Sequence, residues 1–346
     1  DEMNDDFGGF DPSVLVELLK TFYDETYISM GMNFDNGKIA FNSETFMNND
    51  MLEVNRAVRN HKFNKKLGKY IKGDELLGYY SMSMSTKGMQ DAYKKLLYSK
   101  LGDIPMYGEM AKGAMDIVGI FLDENALPGL FQGDMIMAVT GMQKIKKTIT
   151  DYEYDEDFNA TEIQKEVEQN IPEVTLVWTH TSKSDWMKFI RLGVNSSFLQ
   201  SAGNYYKVAI PGGGMDAYIA LKDDMLFITN STDLVTNRLA KGYKKKDRIS
   251  KSHCERIGQN AMALYWDIPN TMSVLGETGM AMGAGQFMNV GKQNFESVTL
   301  TSSRAVGNST TSQFSINMVN KDMNALKQIF EMVNKMFMEM MGGDNT

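Results

Sequence analysis

The chain has 346 residues, 42% of them hydrophobic and 23% charged, with 36 Lys and Arg against 44 Asp and Glu and a formal net charge of −8. At about 150 residues per domain this suggests two domains or one large one, and the composition is too apolar for a disordered chain. The acidic balance argues against a general nucleic-acid binder, which needs a net basic face to displace counterions, and a single cysteine excludes a disulfide framework, a cysteine zinc site and an iron–sulfur cluster.

In chain order, the acidic lead DEMNDDFGGFDP opens at Asp1 and reads as a processed start, with any export signal or lipid-bearing cysteine upstream. Residues 27–41 alternate, placing Ile28, Met30, Met32 and Phe34 on one face before an Asn36-Gly37 hairpin turn. Lys62, Lys65, Lys66, Lys69 and Lys72 read as the wet face of a helix between Phe63, Leu67 and Tyr70. Three segments then share one pattern, an apolar strand followed at once by a capped helix. In 78–97, Tyr80, Met82 and Met84 alternate before Ser85 or Thr86. In 174–190, Val174, Leu176 and Trp178 precede Ser182 or Ser184, then Trp186, Phe189 and Ile190. In 261–275, Asp267 stands before Pro269. Residues 205–230 read as a three-stranded meander turning at Gly212–Gly214 and Asp223-Asp224, and 297–318 as a hairpin turning near Gly307-Asn308. The longest apolar run, Ile117 to Leu122, is far short of the ~20 residues that span a bilayer.

The two outer hairpins match. One begins at Glu25 and ends in FMNNDM, the other begins at Glu296 and ends in MVNKDM, so that Asp50 aligns with Asp322 and Met51 with Met323. The expected architecture is therefore α+β, two related units of antiparallel sheet with helices packed on one face. The first unit spans residues 1–160 and the second 161–346, with the boundary in the acidic stretch Asp151–Pro172.

Chemistry is sparse. His61, His180 and His253 lack a metal-ligand spacing; His180 reads as a partly exposed or hydrogen-bonded structural side chain and Cys254 as a buried, inert one. Asp151, Glu153, Asp155, Glu156 and Asp157 lack the Gly and terminal Glu of a calcium loop and read as a solvated connector. Gly212-Gly213-Gly214 leads into a strand instead of a helix, so it is a turn and not a phosphate loop. Lys244-Lys245-Lys246-Asp247-Arg248 is a second basic cluster that could face anionic lipid, though a solvated face is the simpler reading. The 29 methionines are spread over strand and helix faces, and the alternation of Met30 with Met32 and of Met82 with Met84 puts them at core positions. The last helix carries an apolar stripe through Leu326, Ile329, Phe330, Val333, Met336, Phe337, Met340 and Met341. It packs on its own sheet, with the turn from Phe337 to Met341 overrunning toward a partner or a membrane surface.

Three stretches, LGKYIKGDELLGYYSMSMSTKGMQDAYKKLL, LPGLFQGDMIMAVTGMQ and MDAYIALKDDMLFITNSTDLVTNRL, resemble putative cell-envelope lipoproteins of Bacteroidetes that carry a large domain of unknown function. The resemblance covers roughly residues 60–275. It implies export and lipid anchoring, hence a periplasmic or surface lipoprotein, and implies no activity. The expectation is a non-enzymatic module that binds protein or glycan or scaffolds an assembly. Trp178, Trp186, Tyr205 and Tyr206 would support glycan stacking if they line one open surface. The alternative is a carboxylate-based hydrolase with a cleft between the units, Asp267 being its best single candidate. No catalytic, cofactor-binding or metal-ligating residue is assigned, no cofactor is expected, and neither nucleic acid nor a transmembrane segment is expected.

Overall fold

The turn at Asn36-Gly37 closes where the alternation of Ile28 to Phe34 ends. Gly37 takes a positive φ of 62° while Asn36 does not, so the turn relies on the glycine alone and is not the type in which both central residues have positive φ. The computed structural model describes residues 16, 19–20, 23–102, 113, 126–154, 158–209, 215–277 and 285–342. The hairpin is β1 (Tyr27–Asp35) and β2 (Lys38–Phe46), followed by helix α1 (Asn49–Arg59), whose first turn is capped by Asn48 accepting the Met51 N–H at 2.8 Å. Then come β3 (Leu76–Met82), α2 (Thr86–Gly102), α3 (Ala126–Leu130), β4 (Met135–Tyr154), β5 (Ala160–Thr179) and α4 (Lys183–Asn195). Next are β6 (Leu199–Ser201), β7 (Tyr206–Val208), β8 (Ala217–Lys222), β9 (Met225–Thr229) and α5 (Lys251–Gln259). The chain closes with β10 (Met262–Asp267), α6 (Ile268–Glu277), α7 (Gly285–Asn294), β11 (Phe295–Ser302), β12 (Ser309–Met318) and α8 (Ala325–Gly342).

All three strand–helix units form as their sequences direct. Ser85 caps α2 through the Gly88 N–H at 2.9 Å, Ser182 caps α4 through the Asp185 N–H at 3.3 Å, and Asp267 caps α6 through the Asn270 N–H at 2.9 Å. The meander turns at Asp223-Asp224, while Gly212–Gly214 lies outside the described residues.

The strands make one twelve-stranded sheet in the order β1-β2-β12-β11-β10-β3-β4-β5-β9-β8-β7-β6, antiparallel at every pairing, and the fold is α+β. The sheet does not follow the division at 160/161: β12, β11 and β10 lie between β2 and β3. The acidic stretch expected as a boundary is a paired arm. Met142 stands opposite Pro172 and Asp151 opposite Ile163, while β3 flanks β4 only as far as Thr140 and β9 flanks β5 only from Thr175. Beyond those neighbours the β4–β5 hairpin projects as a two-stranded ribbon of about 40 Å, wet on both faces. Its acids meet lysines across the strands, Lys144 with Glu168 at 3.9 Å and Lys146 with Glu166 at 3.7 Å. Asp155 to Asp157 lie outside the described residues.

Residues directly opposite one another share a face. Over the central strands one face carries Tyr79, Ile136, Val177 and Phe227, all buried, packed with Phe63, Leu67, Leu234, Tyr243 and Ile257. Over the outer strands the other face carries Ile39, Ile316 and Met318, packed with Ala325 and Ile329 of α8. Helices on one face therefore describes the outer strands, while the central strands, apolar on both faces, take α5 on the opposite side.

A local two-fold relation links the two matched hairpins. β2 and β12 pair antiparallel with Phe41 opposite Phe314. The Met47 N–H donates to Asn308 O and the Met318 N–H to Gly37 O, each at 2.9 Å, so each strand end is tied to the other hairpin's turn.

Candidate binding surface

Two sequence-distant basic segments, 62–72 and 241–251, carry eleven lysines and arginines and one acid, Asp247. Within the first, Phe63, Leu67, Tyr70 and Ile71 are buried against the central sheet, and Tyr70 meets Phe227 edge-on at 4.8 Å. Within the second, Tyr243 and Ile249 are buried in the same core, and burial pushes the Tyr243 phenol up to about 12. With the apolar residues drawn inward, the lysines between them are left to face solvent. The expected helix over 62–72 is instead an irregular segment with one 3-10 turn, Leu67–Tyr70. The sheet takes Phe63 and the Tyr70-Ile71 pair inward, and Asn64 is held by its N–H on Asp134 Oδ2 at 2.8 Å.

Backbone hydrogen bonds clamp the segments together. Tyr243 N–H donates to Lys69 O at 2.9 Å, Ile249 N–H to Ile71 O at 3.1 Å and Gly73 N–H to Asp247 O at 2.9 Å, with Lys72 bridged to Arg248. Gly242 permits this approach: its φ is +71°, and a Cβ there would stand 2.7 Å from Lys69 O. The product is one cationic platform on an otherwise acidic protein. Lys72 reaches Glu75 at 3.7 Å and Lys251 reaches Glu255 at 3.5 Å. Lys65, Lys66, Lys69, Lys241, Lys244 and Lys245 form no ion pair among the described residues, so their charge is available to a partner. The aromatic rings of the two segments, Phe63, Tyr70 and Tyr243, all point into the core.

The other candidates settle into structural positions. His180 is buried at 2% exposure with neither ring nitrogen hydrogen-bonded, a departure from the expected exposed or bonded side chain, and burial holds its pKa below the usual histidine value. His61 Nε2 lies 3.0 Å from Asp134 Oδ2, a buried carboxylate missed in the sequence because only its place just before β4 marks it. His253 packs its ring on Tyr79 and Tyr265 at 5.3 and 4.5 Å, and burial lowers its pKa too. Cys254 is half-buried, with burial raising its thiol. Asp267 uses both oxygens locally: Oδ1 accepts the Asn270 N–H, while Oδ2 lies 3.1 Å from Asn270 Nδ2 and 3.4 Å from the Tyr265 hydroxyl. Among the described residues no group of three or more His, Cys, Asp or Glu could hold a metal ion, and no helix is long and apolar enough to cross a membrane.

The four aromatics do not line one surface. Trp178 at the end of β5 and Trp186 on α4 pack their rings against Phe131, while Tyr205 packs on the core of the opposite face. Two apolar expectations change as well. Met30 and Met32 are 77% and 51% exposed where the alternation puts core residues. On α8 the exposed stripe starts earlier than expected, at Leu326 and Phe330; the Met340 and Met341 side chains lie outside the described residues.

Compared with known proteins, the chain matches no family model, no curated protein and no solved structure.

Proposed function

We propose that this chain is a non-enzymatic binding module of the cell envelope that lies against an anionic lipid surface through its cationic platform. The observation that carries the reading is the clamp between 62–72 and 241–251, which turns two weak charge clusters into one fixed array. Each Lys or Arg close to an anionic bilayer contributes about 1 kcal/mol, so several acting together hold a peripheral protein even where no residue is specific. The whole-chain charge of −8 conceals this face. Lipid is favoured over single-stranded nucleic acid because base binding relies on exposed rings for stacking, and the rings here point inward. The envelope location rests on the resemblance of residues 60–275, and a lipid anchor upstream would keep the platform within reach of headgroups.

Co-sedimentation with lipid vesicles tests this. Binding is expected to vesicles containing about a third anionic lipid and not to zwitterionic ones, and to weaken as salt shortens the screening length below ~10 Å. A protein that ignores the anionic vesicles, or binds an oligonucleotide more tightly than the vesicles, overturns the reading.

A further inference from the structure

The outermost strand, β1, has the features that soluble proteins avoid at a sheet edge. It pairs with β2 over nine consecutive rungs without a bulge, contains no proline or lysine, and is uncharged from Tyr27 to Phe34. The opposite edge is the three-residue β6. Ile28, Met30 and Met32 are exposed on one face of β1, and no strand among the described residues lies beyond it.

The local two-fold relation shows what such an edge accepts. Met32 stands opposite Phe41 as Leu300 stands opposite Phe314, so Met32 and Met30 occupy the places held by Leu300 and Val298 in the matched hairpin. There the equivalent edge is filled. β10 runs antiparallel beside β11, with Leu264 opposite Leu300 and Trp266 opposite Val298. The β1 edge is thus the unfilled counterpart of a site that takes an antiparallel strand with alternating apolar side chains.

β1 has that chemistry itself. About Gly31 the strand reads symmetrically, with Met30 and Met32 flanking it, then Ser29 and Asn33, then Ile28 and Phe34. We propose that β1 pairs antiparallel with β1 of a second copy of this chain about a two-fold axis at Gly31, setting Met30 against the partner's Met32 and Ile28 against the partner's Phe34. A contact of this kind is isologous and closes at two copies. It fills both edges at once and continues the twelve-stranded sheet across the dimer.

The test uses the full chain in light scattering after size exclusion, over a range of concentrations. A mass of twice 39.0 kDa is expected at high concentration, and Met30→Lys with Met32→Lys should return it to the monomer with an unchanged circular dichroism spectrum, since both side chains are exposed. Gly31→Cys in a Cys254→Ser background is sterically free, because nothing stands within 4 Å of a Cβ at Gly31. It should form a disulfide-linked dimer under mild oxidation, and this should vanish when the two lysines are added. A chain that stays monomeric and uncrosslinked, a dimer that survives both lysines, or a dimer in which Cys at position 31 does not crosslink would each overturn the proposal.

Discussion

The same face of the same sheet is treated in two ways. Over the central strands it carries Tyr79, Ile136, Val177 and Phe227 under a cover of irregular chain and α5. Over β1, β2 and β12 it carries Asn33, Asn42, Glu44, Thr311 and Gln313 around a shallow groove of about 440 Å³, where Asn42 accepts a hydrogen bond from Gln313 at 2.7 Å. The difference lies in where free energy is stored and where charge can gather. The covered half gains stability by burying rings, and the chain that covers it must turn its remaining side chains outward, which creates the cationic platform. The uncovered half spends little stability on that face and is free to vary there.

Substitutions should separate the halves, the largest effect first. Phe227→Ala removes a fully buried ring and should cost about 3–5 kcal/mol by denaturant unfolding; a loss under about 1 kcal/mol would mean that the cover does not pack as described. Gly242→Val forces a β-branched side chain onto a positive φ beside Lys69 O, with an expected cost of about 1–3 kcal/mol. It should also weaken vesicle binding while altering no charge. Unchanged vesicle binding in a variant destabilised to this extent would show that the clamp does not organise the platform.

Acidification acts on the covered half as well. An unfolded histidine titrates near 6.5, and burial holds His180 and His253 below that in the folded state. The folded chain therefore binds fewer protons, so stability is full above about pH 6.5 and falls as pH drops from there toward the folded values. A denaturation midpoint that stays level between pH 7.5 and 5.5 would contradict the burial of both rings. Smaller effects follow from Asp267→Ala and Ser182→Ala, which remove caps worth about 0.5–2 kcal/mol each. Smallest is Thr311→Ala on the open face, expected within about 0.5 kcal/mol of the parent in the same assay.

Local chemistry made much of the fold legible. The hairpin turn at Asn36-Gly37 and the helix starts at Ser85, Ser182 and Asp267 depend on residues within a few positions of each other, so a period change beside a capping side chain is enough to place them. The β4–β5 arm was hidden because its acids resemble a linker until their lysine partners across the strand are known. The helix expected over 62–72 failed for a related reason: the lysine spacing fits a helix, while Tyr70 and Ile71 are both drawn to a sheet whose strands lie far away in sequence. The platform is a tertiary product, since its halves meet through backbone bonds between residues about 170 positions apart. Gly73, next to Lys72, and Gly242, between Lys241 and the inward-facing Tyr243, are the local marks of the junction.

The most direct measurement compares lysines in the two settings. Lys65, Lys69, Lys244 and Lys245 changed together to Gln should lower partition onto anionic vesicles roughly a thousand-fold, at about 1 kcal/mol for each. Lys144, Lys146, Lys165 and Lys188, paired on the arm and α4, carry the same total charge and should lower it far less when changed to Gln. Equal losses from the two sets would reduce the interaction to net charge and contradict a binding platform built by the fold.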